Sequence, residues 1–324
     1  MPTSPTLLFI PGAWHKPTCY DKVISILKQK HSLHCISITL PTTTGDPSAT
    51  FKDDTDAARE AITKEVNQGR NVVVLAHSYG GMVGNSAIKG FTRPSRDAET
   101  DTTARPESEY VIGLILIASG FTLTGLTFMD PFFDNPPPFW RVNKESGFAE
   151  LTASPRELFY HDLPEEEAEY WVSELTNQSL KALFEGGEHA YAGWLDVPVW
   201  YVGTAEDRGL PVLVQRMQVG MAREMGAVVE HRELKSSHSP FLSLPDATTG
   251  IIFEAVQAFG STQESGGLSN NGSREDHMVA IPKSVFWKPS SWFRFGIPLA
   301  FGHVVGKGFR LYYWVRRLWR SEAA

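Results

Sequence analysis

The chain is poor in cysteine. Cys19 and Cys35 are the only two among 324 residues, too few for a disulfide framework and in no metal-ligand spacing. That fits a reducing compartment. No secretory leader is expected either: Met1-Pro2-Thr3-Ser4-Pro5-Thr6 runs straight into "LLFIPG" with no basic start and no long apolar segment. The first residues are therefore expected to open the fold. In the C-terminal tail the longest run without Lys or Arg, Phe295–Gly306, is twelve residues and contains His303. It falls short of the ~20 residues a membrane span needs. No internal repeat is visible, so nothing points to a repeat architecture.

What remains is an ordinary globular composition, 42% hydrophobic and 21% charged, in a chain long enough for one large α/β domain or two small ones. The net charge of −7 is unevenly spread. Residues 1–260 carry 21 Lys/Arg against 33 Asp/Glu, whereas residues 261–324 carry 9 against 4. A basic tail on an acidic body suggests a separate role for that tail.

Short apolar runs alternate with helical patterns. The runs are Thr6–Ile10, Leu33–Thr39, Asn71–Ala76, Val111–Ala118, Val197–Val202 and Val228–Glu233. Several are nearly continuous Val, Ile and Leu, the pattern of strands covered on both faces of a parallel sheet. Helices are predicted over about 18–30, 54–68, 80–90, 211–225 and 246–259, which gives an open α/β sheet. The interval of about 120–194 breaks this rhythm with "DPFFDNPPPFW" and one acidic helical run, "LPEEEAEYWVSELTNQSLKALF". An insertion of this length reads as a lid. "EEEAEYW" within it reads as a solvated helical face, not an acid pair. Thr92–Glu109 reads as a polar, mobile surface loop. Residues 261–280 read as a flexible linker after a domain at 1–260, and 281–324 as the tail.

The stretch "VVVLAHSYGGMVG" (Val72–Gly84) holds the chemistry. A serine between small residues, after a strand and before a helix, is the G-x-S-x-G nucleophile elbow, here with Ala76 in the first glycine position. The alternative is a structural serine in a glycine-rich loop. A serine needs a base, and His238 in "ELKSSHSPF" follows the last predicted strand at the edge where the elbow points. The base needs an orienting carboxylate, and "YVGTAEDRGLP" offers Asp207, with Glu206 as the alternative. Oxyanion donors are expected from the backbone N–H of Tyr79 and, in "FIPGAWHKP", of Ala13 beside Gly12.

Together "LLFIPGAWH", "VVVLAHSYGG", "YVGTAEDRGLP" and "SSHSPFLSLP" resemble the α/β-hydrolase superfamily. More narrowly they are similar to its small branch of plant methylesterases, hydroxynitrile lyases and related fungal and bacterial carboxylesterases. The resemblance covers about residues 6–260, with four motifs in the correct order. It implies a mostly parallel sheet with helices on both faces, an inserted helical lid and a first strand that matches the third strand of the full fold. It also implies a triad of Ser78, His238 and Asp207, with Ala13 and Tyr79 as oxyanion hole. Epoxide hydrolases and haloalkane dehalogenases of that superfamily carry an aspartate where this chain has Ser78. The similar lyases place a lysine where Ser239 stands, and a threonine in the first loop, so lyase activity is disfavoured.

The expected activity is hydrolysis of a carboxylic ester or thioester of a hydrophobic small molecule, with no metal or organic cofactor. Trp14, Phe121, Phe128, Phe132, Phe133 and Trp140 are candidate substrate-lining residues. For most of these rings, packing the lid onto the sheet is an equal alternative. A non-hydrolytic biosynthetic or ligand-binding role (cyclase, lyase or receptor) is the competing function. The tail, Ile281–Arg320, has eight Lys/Arg, no acid and four tryptophans: Trp287, Trp292, Trp314 and Trp319. Leu311, Trp314, Val315 and Leu318 fall on one helical side, which suits peripheral contact with a cytosolic membrane face. The alternative is packing on its own acidic body or on a partner. Nucleic acid is disfavoured by the acidic body.

Overall fold

The computed structural model describes residues 4–93, 110–264, 279–282 and 289–322, with side chains up to residue 260 and again from 279 to 315 within those ranges. Nearly all of the predicted surface loop, and residues 265–278 of the predicted linker, lie outside them. Trp287, Leu318 and Trp319 lie outside the described side chains.

The strands are β1 (Thr6–Ile10), β2 (Cys35–Ser37), β3 (Val72–His77), β4 (Val111–Ile117), β5 (Trp140–Asn143), β6 (Phe148–Leu151), β7 (Val199–Thr204), β8 (Val229–Leu234) and β9 (Val279–Ala280). Seven of them form one sheet in the order β2-β1-β3-β4-β7-β8-β9. Only β9 runs antiparallel, against β8. Strands β1, β3 and β7 are buried at every position, which explains their mostly apolar content. Because β1 pairs with β2 on one side and β3 on the other, the first strand lies inside the sheet. Among the described residues no strand lies beyond β2.

The longer helices are α1 (Asp21–His31), α2 (Phe51–Asn67), α3 (Gly80–Ala87), α7 (Val212–Glu224), α9 (Pro245–Glu264) and α11 (Ile297–Glu322). Helix α2 begins with a reciprocal capping box, Thr50 accepting from Asp53 N while the Asp53 carboxylate accepts from Thr50 N. The predicted linker is shortened at both ends. Helix α9 continues to Glu264, and Val279–Ala280 forms the edge strand β9.

The insertion differs from its predicted form. In place of one helical run it holds the hairpin β5–β6 and the short helices α4 (Pro155–Phe159), α5 (Glu165–Ser173) and α6 (Leu180–Phe184). The hairpin turns at Gly147, with φ +77°. The acidic run breaks because Gln178 and Ser179 are fastened to the body: Ser179 N donates to Thr42 O at 3.0 Å and Gln178 Nε2 to Thr42 Oγ1 at 3.2 Å. No helical periodicity records a tether of that kind.

The C-terminal segment, comprising α8 (Pro240–Ser243), α9, the short α10 (Pro289–Ser291) and α11, closes the structure. Helix α11 lies directly on α7 through glycines. A Cβ on Gly302 would sit 2.0 Å from Met217 O, and one on Gly220 2.2 Å from Leu299 O. Arg216, buried on α7, forms a bidentate pair with Glu233 at 2.7 Å on both arms and donates to Arg294 O at 2.7 Å. Its guanidinium stands 4.6 Å from the Phe295 ring centre. One side of the tail therefore packs on its own body. Of the predicted apolar side, Leu311 and Trp314 remain exposed and Val315 is half-buried.

Candidate active site

The carboxyl ends of β1, β3 and β4 turn through left-handed backbone at Trp14 (φ 62°), Ser78 (φ 51°) and Ala118 (φ 45°). Three strained non-glycine residues on one sheet edge mark a site where geometry overrides local preference. Ser78 N continues the ladder to Ile117 O at 3.1 Å, and its carbonyl accepts from Gly81 N at 3.0 Å and Ser119 Oγ at 2.7 Å. The elbow is closed so tightly that a Cβ on Gly80 would lie 2.2 Å from Pro11 O, and one on Gly81 1.8 Å from Ser119 Oγ. Gly12 has the same role from the opposite side, since its Cβ would meet His77 Nδ1 at 2.9 Å and Ser78 Cβ at 3.1 Å. The first loop thus reaches Ser78 with backbone alone.

His238 follows β8 and is buried, and its Nδ1 lies 2.7 Å from Asp207 Oδ2. Asp207, after β7, accepts three further side-chain or backbone bonds at close range: Thr204 Oγ1 at 2.7 Å, Gly209 N at 2.8 Å and Leu210 N at 2.7 Å. Gln215 Nε2 adds a fourth at 3.2 Å. The carboxylate can only accept, so His238 carries its proton on Nδ1 and leaves Nε2 as the basic atom. Glu206, the alternative, is half-exposed and faces Lys235 at 3.6 Å. The structure thus joins His238 to Asp207. It sets Ser78, partly exposed, on the same edge, without a hydrogen bond to His238.

Two more histidines buttress this edge. His77 Nε2 donates to His238 O at 3.0 Å, with the two rings 4.6 Å apart. His15 Nδ1 donates to Ala13 O at 2.7 Å, and its Nε2 accepts from Tyr160 OH at 2.9 Å. Burial lowers the His15 pKa to about 4 and pushes that of His77 well below its ordinary value. Both rings are neutral at neutral pH, and each fixes the backbone carbonyl of a predicted site residue, Ala13 or His238. Ala13 N and Tyr79 N donate no hydrogen bond among the described residues.

Tyr79 has a partner that the sequence did not suggest. Its hydroxyl donates to Asp54 Oδ2 at 2.8 Å, and Asp54 also accepts from Thr42 N at 3.0 Å and Thr42 Oγ1 at 2.6 Å. Burial raises the Asp54 carboxyl to about 6, against those hydrogen bonds. Nothing in "FKDDTD" sets Asp54 apart from its neighbours, because the burial that distinguishes it is a tertiary property.

The predicted lining residues divide. Trp14 stacks on Phe159 at 6.3 Å and meets Trp140 edge-on at 6.5 Å, while Phe159 lies 5.5 Å from the His238 ring. Phe128 packs edge-on to Tyr79 at 5.6 Å, with Phe132 6.3 Å beyond it. Two others are corrected. Phe121 is a core residue, stacked on Tyr201 and against Trp194, both at 5.5 Å. Phe133, at a left-handed turn after Met129–Phe132, is 86% exposed. Phe159 and Tyr160 were missed, since "ELFY" carries no motif. Among the described residues no cluster of His, Cys, Asp and Glu is arranged to hold a metal.

A parallel sheet, a strained serine between β3 and α3, and a His–Asp pair on later loops define a hydrolase-type scaffold. The chain belongs to the α/β hydrolase family, matching it over residues 7–250. It is 27% identical over 254 residues to the α/β hydrolase nvfD of Aspergillus novofumigatus, covering 78% of this chain and 96% of that one. To a pyrethroid hydrolase of Sphingobium wenxiniae it is 23% identical over 270 residues, 78% of this chain and 88% of the other. Among solved structures, polyneuridine aldehyde esterase matches with TM-score 0.61 and 18% identity, over 78% of this chain and 99% of its own. A pyrethroid hydrolase from Sphingobium faniae matches with TM-score 0.59 and 21% identity, over 80% and 100%. At these identities the structural likeness establishes the fold. Hydrolase-named relatives support a hydrolase. Helix α11 lies beyond the family match.

Proposed function

We propose that the protein is a serine esterase that cleaves a carboxylic ester or thioester of a hydrophobic small molecule. The observation that carries this reading is the 2.7 Å His238–Asp207 bond beside a serine held at φ 51°. His238 Nε2 takes the proton of Ser78 as Oγ attacks the carbonyl carbon, and Asp207 stabilises the resulting imidazolium. The tetrahedral oxyanion is held by the N–H groups of Ala13 and Tyr79. Collapse breaks the bond to the leaving alcohol or thiol, which receives the proton from His238. Water, deprotonated by the same ring, then hydrolyses the acyl-Ser78 ester. The Ser78–His238 hydrogen bond forms as the ester substrate binds, before acyl transfer.

Trp14, Trp140, Phe128 and Phe132 supply the apolar walls for the acyl or alcohol part, with Phe159 beside the base. Attachment of the tail to a membrane face is a separate proposal that rests on a different surface.

The test is turnover of a p-nitrophenyl ester chain-length panel by wild type and Ser78→Ala, with phosphonate labelling of Ser78. Turnover and labelling lost in the variant support the esterase. A folded wild type that neither hydrolyses nor labels points instead to a binding or non-hydrolytic role.

A further inference from the structure

Helix α11 is apolar on two opposite sides, and the sheet domain covers only one. The inner side carries Gly302 and Gly306, whose Cβ atoms would lie 2.0 Å from Met217 O and 2.8 Å from Met221 O. Contact at backbone distance fixes the helix rigidly on α7. His303 and Arg310 add bonds to Glu224 at 3.1 and 3.5 Å. The outer side holds Ile297, Phe301, Val304 and Leu311, all more than half exposed. Their spacing of four, three and seven residues keeps them in one stripe along a helix. Phe293 continues the stripe through the preceding turn at 73% exposure, and Tyr312 and Trp314 flank its far end. Large apolar side chains gathered on an exposed helix face mark an interaction surface.

The charges beside the stripe select its occupant. Lys307 and Arg294 are exposed and make no ion pair among the described residues, and residues 281–320 contain no acid. Two copies meeting by this face would set base against base across a symmetric contact. An anionic lipid surface supplies the missing counter-charge, and the aromatic rings suit the headgroup layer. Among the described residues no helix is long and apolar enough to cross a membrane, so the contact is along the helix, over about 26 Å from Ile297 to Trp314.

We propose that the outer face of α11 seats the protein on a membrane surface bearing anionic lipid, independently of the chemistry at Ser78. Its consequence is geometric: because α11 is fixed to α7 by glycine contacts, binding orients the whole body rather than tethering it loosely.

The experiment is flotation of the full chain with vesicles of phosphatidylcholine containing about one-fifth phosphatidylserine, and with phosphatidylcholine alone. Binding should be roughly thirtyfold tighter to the anionic vesicles, from two unpaired bases near the surface, and should weaken with salt. A Phe301→Asp/Val304→Asp chain should lose binding while keeping its melting temperature and its ester turnover. Lys307→Glu should lose only the preference for anionic lipid. No binding by wild type overturns the proposal, as does equal binding to the two vesicle types or by the double variant. A wild-type dimer in solution that the double variant turns into a monomer would assign the stripe to a second copy and overturn it too.

Discussion

The carboxyl edge of the sheet and the α7–α11 side bury different things. At the edge, polar atoms go inside and meet partners: Asp207 accepts from Thr204, Gly209, Leu210, Gln215 and His238, and Asp54 from Thr42 and Tyr79. On the α7 side, glycine backbone goes inside and phenylalanine is left out. Buried polar groups with several partners each orient atoms to tenths of an ångström, as proton transfer requires. A glycine-packed helix with bare apolar side chains orients a surface and no particular atom. The first arrangement suits chemistry and the second suits contact.

The largest expected break in that contrast is Asp207→Asn. The amide keeps an acceptor for Gly209 and Leu210 but turns an N–H toward His238, favouring the wrong tautomer. Ester kcat should fall by ~10⁴ with the fold intact. Glu206→Gln, one residue away and facing solvent, should leave kcat alone. Stopped-time assays on both variants, with circular dichroism as the fold check, decide it.

Next comes Glu233→Gln on the tail side. Arg216 and Glu233 have side chains only 6% and 1% exposed. Removing one charge of such a pair leaves the other buried and uncompensated, which costs about 3–5 kcal/mol. Arg216 also holds Arg294 O and the Phe295 ring, so the same change should loosen the entry to α11. Urea denaturation should show the loss, and hydrogen exchange should rise across residues 297–315. Unchanged exchange there would separate the tail from the Arg216 pair.

Much of the edge was legible and much of the tail was not. Ser78, His238 and Asp207 lie after apolar strands on local turn motifs, so order along the chain sufficed to nominate them. Asp54, His15 and Phe159 have no local signature. Asp54 matters because Tyr79 reaches it from another element, and Phe159 because a break in the acidic run redirects the insertion. Phe121 and Phe133 were nominated by being aromatic, and only packing tells one buried in the core from one in solvent. In the tail, the i, i+3, i+4 pattern gave a helix, whereas the side against α7 was set by Gly302 and Gly306, which count as helix-weakening residues in isolation.

A smaller effect sharpens the edge through pH. His15 and His231 titrate near 4 and 3 when folded, against 6.5 as the ordinary value, and His77 is lowered as well. A depressed histidine contributes stability above its unfolded pKa and loses it as pH falls, here from about 6.5 toward 4. Asp54 is raised from 3.8 to about 6 and works in reverse, contributing most at low pH and losing it as pH rises from about 4 to 6. At about 1.4 kcal/mol per pH unit, the lowering of His15 and His231 together exceeds the raising of Asp54, so the histidines outweigh the carboxyl. The urea midpoint should therefore drop between pH 7 and pH 4.5. Asp54→Asn should steepen that drop by removing the opposing group, and His231→Leu should make it shallower. A midpoint independent of pH would mean these rings are not neutral through burial.

The smallest expected effect separates the two aromatic populations of the insertion. Phe133 is 86% exposed beside Phe132, whereas Phe128 packs on Tyr79, the residue after Ser78. Phe133→Ser removes no buried contact, so stability should shift by less than about 0.5 kcal/mol and ester KM should not move. Phe128→Ala removes an edge-to-face contact with the Tyr79 ring worth about 0.5–1.5 kcal/mol, and should raise KM on long-chain esters more than on acetate. Chain-length profiles of the two variants measure this directly. If Phe133→Ser changed the preferred chain length and Phe128→Ala did not, the apolar wall would lie on the solvent-facing tip of the insertion, and the partition of lining from surface residues drawn above would be reversed.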